Sequence, residues 1–405
     1  MTRAPDTLPG VAQRGGTAAR RRRRGLLLGL LAIVLFFFFG AAPLLDAIAN
    51  GSTGKPPPPP RPEALALHRS LWVADLHADS LMWNRAPEER HDRGRVDVPR
   101  LIEGGVALQA FTIVSKTPWG MNVSSNTDST DMTTLLFIAQ RWPLRTWSSL
   151  LERALYQAER LHASARASNG KFRVIESRAD LERYTRERSE DPTQSAGLLG
   201  IEGAQVLEGH LENLQRLFDA GFRMMSPSHF FDTAVGGSAH GQQKYGLTPL
   251  GREVIREMER LGMLVDLAHA SPQTIDDVLD MARAPVVFSH TGVRGTCDTQ
   301  RNIDDRALRR TAATGGVVGI GFFEGATCGS DLDAVVRAIR YCVDRVGAEH
   351  VALGSDFDGF VRTPIDAAGL AALTDALLSA GFSEQQIRAI MGENVRLLLA
   401  RVLPP

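Results

Sequence analysis

Cysteine is scarce and charge of either sign is not in surplus. Three cysteines in 405 residues (Cys297, Cys328, Cys342) are too few for a disulfide scaffold, and an odd number leaves at least one thiol unpaired within the chain. None belongs to a CxxC pair, which argues against a structural zinc ribbon and leaves a dithiol redox role for Cys297 and Cys328 without support. Lys+Arg and Asp+Glu both total 46, so the basic surplus of a nucleic-acid binder is missing. What is present is a 43% hydrophobic content, enough for a sizeable core in one large domain or two medium ones.

The first sixty residues do not read as part of that core. Residues 1–19 are small and polar, and Arg20 to Arg24 form an unbroken basic run. Gly25 to Leu45 (GLLLGLLAIVLFFFFGAAPLL) carries no charge over 21 residues, and roughly 20 apolar residues cross a bilayer as a helix. Signal-peptide cores are shorter, about 7–15 residues, although Ala47-Ile48-Ala49 is an A-x-A pattern that keeps a cleaved signal open. On either reading the arginines stay cytoplasmic and the rest is exported. We therefore expect a basic tail over 1–24, a transmembrane helix over 25–45 and a proline-rich linker over 46–62. Its five consecutive prolines favour polyproline II, a stiff spacer between membrane and fold. A single domain should fill residues 63–405.

Within that domain, short apolar runs end in polar residues. Leu71–Asp75 leads to His77 and Asp79, and Val106–Val114 follows. Gly197–Ile201 ends at Glu202, Phe222–Ser226 at His229, Met263–Leu267 at His269 and Pro285–Phe288 at His290. Gly316–Phe323 ends at Glu324, and His350–Gly354 leads to Asp356 and Asp358. Helix starts separate them: Thr248-Pro249, Ser271-Pro272 and the capping box Ser383-Glu384-Gln385-Gln386. Eight near-continuous apolar strands alternating with amphipathic helices predict a parallel sheet buried on both faces. The fold class is α/β, a (β/α)8 TIM-type barrel, with functional groups at the C-terminal strand ends. A doubly wound sheet fits less well, because polar residues follow nearly every strand rather than one switch point. The mostly helical stretch Thr133–Ser168 reads as an insertion after strand two.

Singly, these polar residues mean little, since a histidine ending an apolar run is usually a hydrogen-bonded structural one. Together, a barrel would gather His77, Asp79, Glu202, His269 and His290 on one rim, where burial requires a compensating cation. Imidazole with carboxylate suits zinc and similar divalent ions. Residues i and i+2 of an extended chain share a side, so His77 and Asp79 can reach one ion. Five candidate ligands over-supply one metal, and two metals sharing a carboxylate is the natural distribution.

The segments VADLHAD, GIEGA, SPSHFFD, GLTPLGREVIREMERLGMLVDLAHAS, PVVFSHT, RNIDD, ALGSDFDG and IMGENVRLLL lie in order between Leu71 and Leu399. In them the chain resembles the membrane (renal-type) dipeptidases, the M19 peptidase family. The resemblance implies two Zn2+ or other divalent cations, with His77 and Asp79 on one, His269 and His290 on the other, and Glu202 bridging. It implies that His229 polarises the substrate, that Arg301 holds its carboxylate and that Asp356 is the acid/base, with Asp358 structural. The expected activity is hydrolysis of dipeptides by a metal-bridging hydroxide, with a homodimer as the family habit. Expected placement is a single-pass membrane protein with its catalytic domain outside the cytoplasm (periplasmic in a Gram-negative cell), or a secreted one if the leader is cleaved. The segment Phe230-Phe231-Asp232 is more apolar than expected for mammalian members, and their cysteine pattern and C-terminal hydrophobic tail are absent. A hydrolase of another amide, such as a β-lactam or an N-acyl amino acid, would use the same metals. A non-catalytic peptide-binding envelope protein is the reading from another class, and the intact ligand set disfavours it.

Overall fold

A computed structural model describes Ala4, residues 15–54 and residues 56–405, with the backbone alone for 15–19, so most of the expected polar tail lies outside the described residues. Helix runs from Gly15 to Ala49, through a π-turn at Phe37–Ala41. Its segment Arg20–Ala49 is long and apolar enough to cross a membrane, and its most apolar stretch is almost wholly exposed.

Nine strands form one parallel sheet: β1 Val73–Ala78, β2 Val106–Val114, β3 Phe172–Val174, β4 Ser195–Glu202, β5 Phe222–Met225, β6 Leu264–Val265, β7 Val287–Thr291, β8 Val317–Ile320 and β9 Val351–Leu353. Eight of them run in the order β6-β5-β4-β2-β1-β9-β8-β7. The two ends meet where Asp266 bridges Val287 and the Leu267 N–H donates to the Val287 carbonyl at 2.7 Å. The result is the TIM-type barrel. Every residue of β2 and β4 is buried, because helices cover the outside and side chains fill the inside. Alternate strand residues accordingly enter two apolar clusters, Leu108, Ala110, Ala196 and Leu198 in one, Phe111, Ile113, Leu199 and Ile201 in the other.

Three details depart from the sequence reading. The insertion after β2 is helical at Met132–Ala139 and Leu150–Ala167, but it leads into a ninth strand, β3, paired with Ser195–Gly197 of β4. Three residues with an arginine in the middle give too little apolar periodicity to be read as a strand. Cys297 and Cys328 form a disulfide, leaving Cys342 as a buried thiol. Residues 46–54, expected to belong to a free linker, lie against the barrel. Asp46 pairs with Arg85 and Arg93, and Ser52 bridges Thr363. The first helix after the proline run spans Pro62–Arg69.

The predicted caps form. Thr248, Ser271 and Ser383 each accept a backbone N–H in the first turn, and Gln386 completes the box at Ser383. In the C-terminal segment IMGENVRLLL, Gly392 sits in a π-turn pressed against β1, where an added Cβ would stand 1.9 Å from the Trp72 carbonyl oxygen. Backbone cannot yield there as a flexible side chain would. Gly392→Ala is expected to destabilise the protein by about 1–3 kcal/mol, the usual cost of overpacking, read as a lowered thermal midpoint with metal content held constant.

Candidate metal centre

The barrel mouth collects the residues from far-apart stretches. His77 closes β1, Glu202 closes β4, His290 lies in β7, and His229, His269 and Asp356 stand just beyond β5, β6 and β9. All are buried, with His77 fully so. Glu202 is the hub. Its Oε1 lies 3.2 Å from His77 Nε2 and 3.4 Å from both His269 Nε2 and His290 Nε2, while Oε2 lies 3.0 Å from His229 Nε2. His77 Nε2 also lies 3.5 Å from Asp79 Oδ1 and 3.9 Å from Asp356 Oδ1. Among the described residues, three groups are compact enough to hold an ion: His77 with Glu202 and His290, Glu202 with His229 and His269, and His77 with Asp79 and Asp356. The structure thus unites every expected ligand, and it also sets His229 and Asp356 at ligand distance rather than apart.

Neighbouring hydroxyls aim these side chains. The Ser289 hydroxyl donates to Asp266 at 2.7 Å and accepts from the Nδ1 atoms of His77 (3.0 Å) and His290 (2.9 Å). Since that oxygen's own proton is used on Asp266, the network assigns a proton to Nδ1 of both rings, which leaves Nε2 of the neutral His290 ring bare toward Glu202. The Thr112 hydroxyl holds Asp79 at 2.7 Å. Gly359 packs so closely that a Cβ there would lie 2.2 Å from Asp356 Oδ1 and 2.9 Å from Asp79 Oδ2. His269 and Asp356 both adopt left-handed backbone (φ 64° and 63°), a strained state for non-glycine residues that surrounding contacts must hold.

Charge in this pocket lacks solvent. Burial, then the Asp79 charge, push the Glu202 carboxyl up to about 7. Burial pulls the His77 imidazole down, but Glu202 and Asp79 outweigh it and raise it well above its ordinary value. His229, His269 and His290 are held well below theirs, first by burial and then by surrounding imidazoles, His77 and His240 among them, and Arg301, so they stand neutral. His77 Nε2 and Glu202 Oε1 are buried without hydrogen-bond partners. Neutral imidazoles and desolvated carboxylates converging with unused lone pairs are the donor set of a divalent cation, and the residues fit one.

Beside the centre lies a cavity of about 500 Å³, walled by Phe230, His240, Arg301, Phe323, Asp356 and Phe360. Arg301 is buried there, with Nη2 donating to the His290 carbonyl at 2.7 Å. His240, Asp266 and Ser289 were not singled out in the sequence. His240 has no strand end to mark it, yet its Nδ1 meets the Val123 carbonyl at 2.8 Å and its Nε2 is buried unpartnered. Asp358 takes no part in the centre. Its carboxylate accepts from the Ser80 hydroxyl at 2.6 Å and the Arg95 N–H at 2.7 Å.

A parallel α/β barrel with clustered imidazoles and carboxylates at its C-terminal mouth defines a metal-dependent hydrolase architecture. The sequence profile of the membrane dipeptidases, Peptidase family M19, matches residues 61–403. An uncharacterised dipeptidase of Schizosaccharomyces pombe is 30% identical over 322 residues, covering 75% of this chain and 72% of the relative. Among solved structures, an M19 dipeptidase superposes with a TM-score of 0.69 at 26% identity, covering 83% of this chain and 99% of the other. A metallopeptidase from Rhodobacter sphaeroides, liganded with a phosphinate mimic of the dipeptide L-Ala-D-Ala, gives 0.68 at 27% identity over 82% of this chain and 99% of the other. The chain belongs to the M19 membrane dipeptidase family, and it is a dipeptidase of that metallopeptidase class.

Ser289 touches no substrate-facing surface, so its removal isolates ligand orientation. Ser289→Ala is expected to weaken metal affinity by about 10–100-fold, measured by competition with a chromophoric chelator.

Proposed function

We propose that the chain hydrolyses dipeptides with two divalent cations, zinc foremost, held by His77, Asp79, Glu202, His269 and His290. The observation that carries this is the position of Glu202, one carboxylate within 3.4 Å of four imidazole nitrogens and so able to serve two ions at once. When bound, such a pair of cations supplies Lewis acidity and an acidified water near neutral pH.

The chain's own groups do the rest. Asp356 lines the cavity and reaches toward His77 and Asp79, placed to take a proton from water and return it to the leaving amine. His229 is neutral and buried, and its Nδ1 has no protein partner. It is a fixed polar group beside Glu202 for the oxygen that gains charge as the carbonyl is attacked. Arg301 engages the protein through Nη2, and among the described residues its Nε and Nη1 make no hydrogen bonds. That leaves a guanidinium edge for a substrate carboxylate, where paired N–H donors fix both charge and geometry. A carboxylate bound next to the scissile bond admits a dipeptide and excludes a longer chain. The phosphinate mimic held by the Rhodobacter sphaeroides relative, with its L-Ala-D-Ala framework, supports the same substrate size.

We read the helix from Gly25 to Leu45 as a membrane anchor with the arginine run on the cytoplasmic side and the barrel outside. The Cys297–Cys328 disulfide supports an oxidising compartment.

Full-length protein in detergent should hold close to two zinc equivalents by elemental analysis, and chelation should abolish dipeptide cleavage until zinc is restored. Arg301→Ala should raise KM for dipeptides about 10–100-fold with a smaller change in kcat, as loss of a charged hydrogen bond predicts. Asp356→Asn should lower kcat by about 100-fold or more with the metal retained, read from steady-state kinetics beside metal content.

A further inference from the structure

Asp46 lies one residue beyond the uncharged stretch Gly25–Leu45, where a carboxylate would ordinarily face water. Instead it is 2% exposed. Its Oδ2 accepts from Arg85 Nε at 2.9 Å and faces Arg93 Nε at 3.3 Å, while its Oδ1 accepts from the Asn50 amide at 2.9 Å. Arg85, itself 3% exposed, turns its Nη2 to Asp358 Oδ2 at 2.9 Å. One buried guanidinium therefore joins the carboxylate at the end of the membrane helix to a carboxylate two residues from Asp356.

The segment it reaches is strained. Asp356, Asp358 and Phe360 all have left-handed backbone, at φ 63°, 65° and 60°. Alternating left-handed non-glycine residues persist only where outside contacts over-determine them. One of those contacts comes from the helix side and another is braced by it. Arg85, held by Asp46, pairs with Asp358, and the Asn50 side-chain oxygen accepts the Phe360 N–H at 3.0 Å. The next residues continue the seam. Thr53 N–H donates to the Thr363 carbonyl at 3.0 Å, and both Arg362 Nε and Nη2 donate to the Ser52 carbonyl. Trp83 closes it from the barrel side, donating to the Asp358 carbonyl at 2.8 Å with its ring 4.9 Å from that of Phe360.

We propose that Asp46 and Asn50 are positioning residues of the active site, a latch by which the segment leaving the membrane holds the Asp356 loop in its working shape. A contact that served only to attach a helix could land on any face of the barrel. Among the contacts made here, the Asn50 bond and the Asp46-braced Arg85 pair land within the five residues from Asp356 to Phe360, two of which wall the cavity at their ends. The A-x-A pattern Ala47-Ile48-Ala49 lies between the two latch residues, so cleavage behind Ala49 would shed Asp46 and strip Arg85 of one of its two carboxylates. The latch therefore requires the helix to stay joined to the domain.

The activity arm of the test rests on the dipeptidase reading; a second arm does not. In full-length protein, Asp46→Asn keeps the shape and removes the charge. It is expected to lower kcat for a dipeptide by about tenfold or more, with KM within about threefold of wild type and metal content unchanged, as a misplaced acid/base group predicts. Hydrogen exchange over residues 355–361 should become about tenfold faster. Asp46→Glu should restore part of both. Asn50→Ala, which cuts only the tie to Phe360, should give the same changes at smaller size and guards against a poorly folding Asp46 variant. A variant that melts earlier yet keeps wild-type kcat and exchange over that loop would reduce the contact to mere attachment and overturn the proposal. So would a fully active mature form beginning at Asn50, found by intact mass of protein taken from membranes. Should the wild type cleave no dipeptide, the proposed function falls while the exchange arm still decides the latch, unchanged exchange sinking it.

Discussion

Carboxylates taken out of water need positive charge nearby, and at this barrel mouth His77 and Arg301 have to answer three of them. Glu202, Asp79 and Asp356 are buried together, while three of the four histidines around them are held neutral. Among the described residues, Arg301 is the only guanidinium in the cavity wall. Isolated charge in a dry interior costs far more than a fold of ordinary stability can bear, so such a cluster persists by sharing protons or by taking a cation. Much of the surrounding structure follows from that requirement. Ser289 and Asp266 fix the ring protons away from the centre, Thr112 aims Asp79, and Gly359 lets backbone pass where no side chain would fit.

The barrel was largely readable because its strands obey a simple rule. A strand covered on both faces is mostly apolar, and β2 announces itself as the nine-residue run Val106–Val114 and β4 by its centre Gly197–Ile201. Where strands shorten the rule weakens. β6 is two residues long and was found through its longer apolar surroundings, and β3, with Arg173 at its centre, was missed. Helix starts were visible because capping is local chemistry between residues three apart.

The centre was legible to the extent that its residues sit at strand ends. His77, Glu202, His269 and His290 follow apolar runs that a barrel must bring together. Residues that act from beside or behind did not show. Ser289 is an ordinary serine inside a strand, Asp266 reads as part of an apolar run, and His240 lies in a loop. The Cys297–Cys328 bond spans 31 positions with no spacing pattern to suggest it. Asp46 was hidden most thoroughly, since a carboxylate after an apolar run signals the end of a membrane span and its partner Arg85 lies 39 positions on.

With Gly25–Leu45 in a bilayer, the short path from helix to cavity has a further meaning. Asn50 stands five positions past Leu45, about 8 Å of helical rise, and its side chain touches Phe360 in the cavity wall. An enzyme on a long tether would sample the bulk fluid and tumble freely above its anchor. On the anchored reading proposed above, this one would keep its cavity wall close to the end of its span.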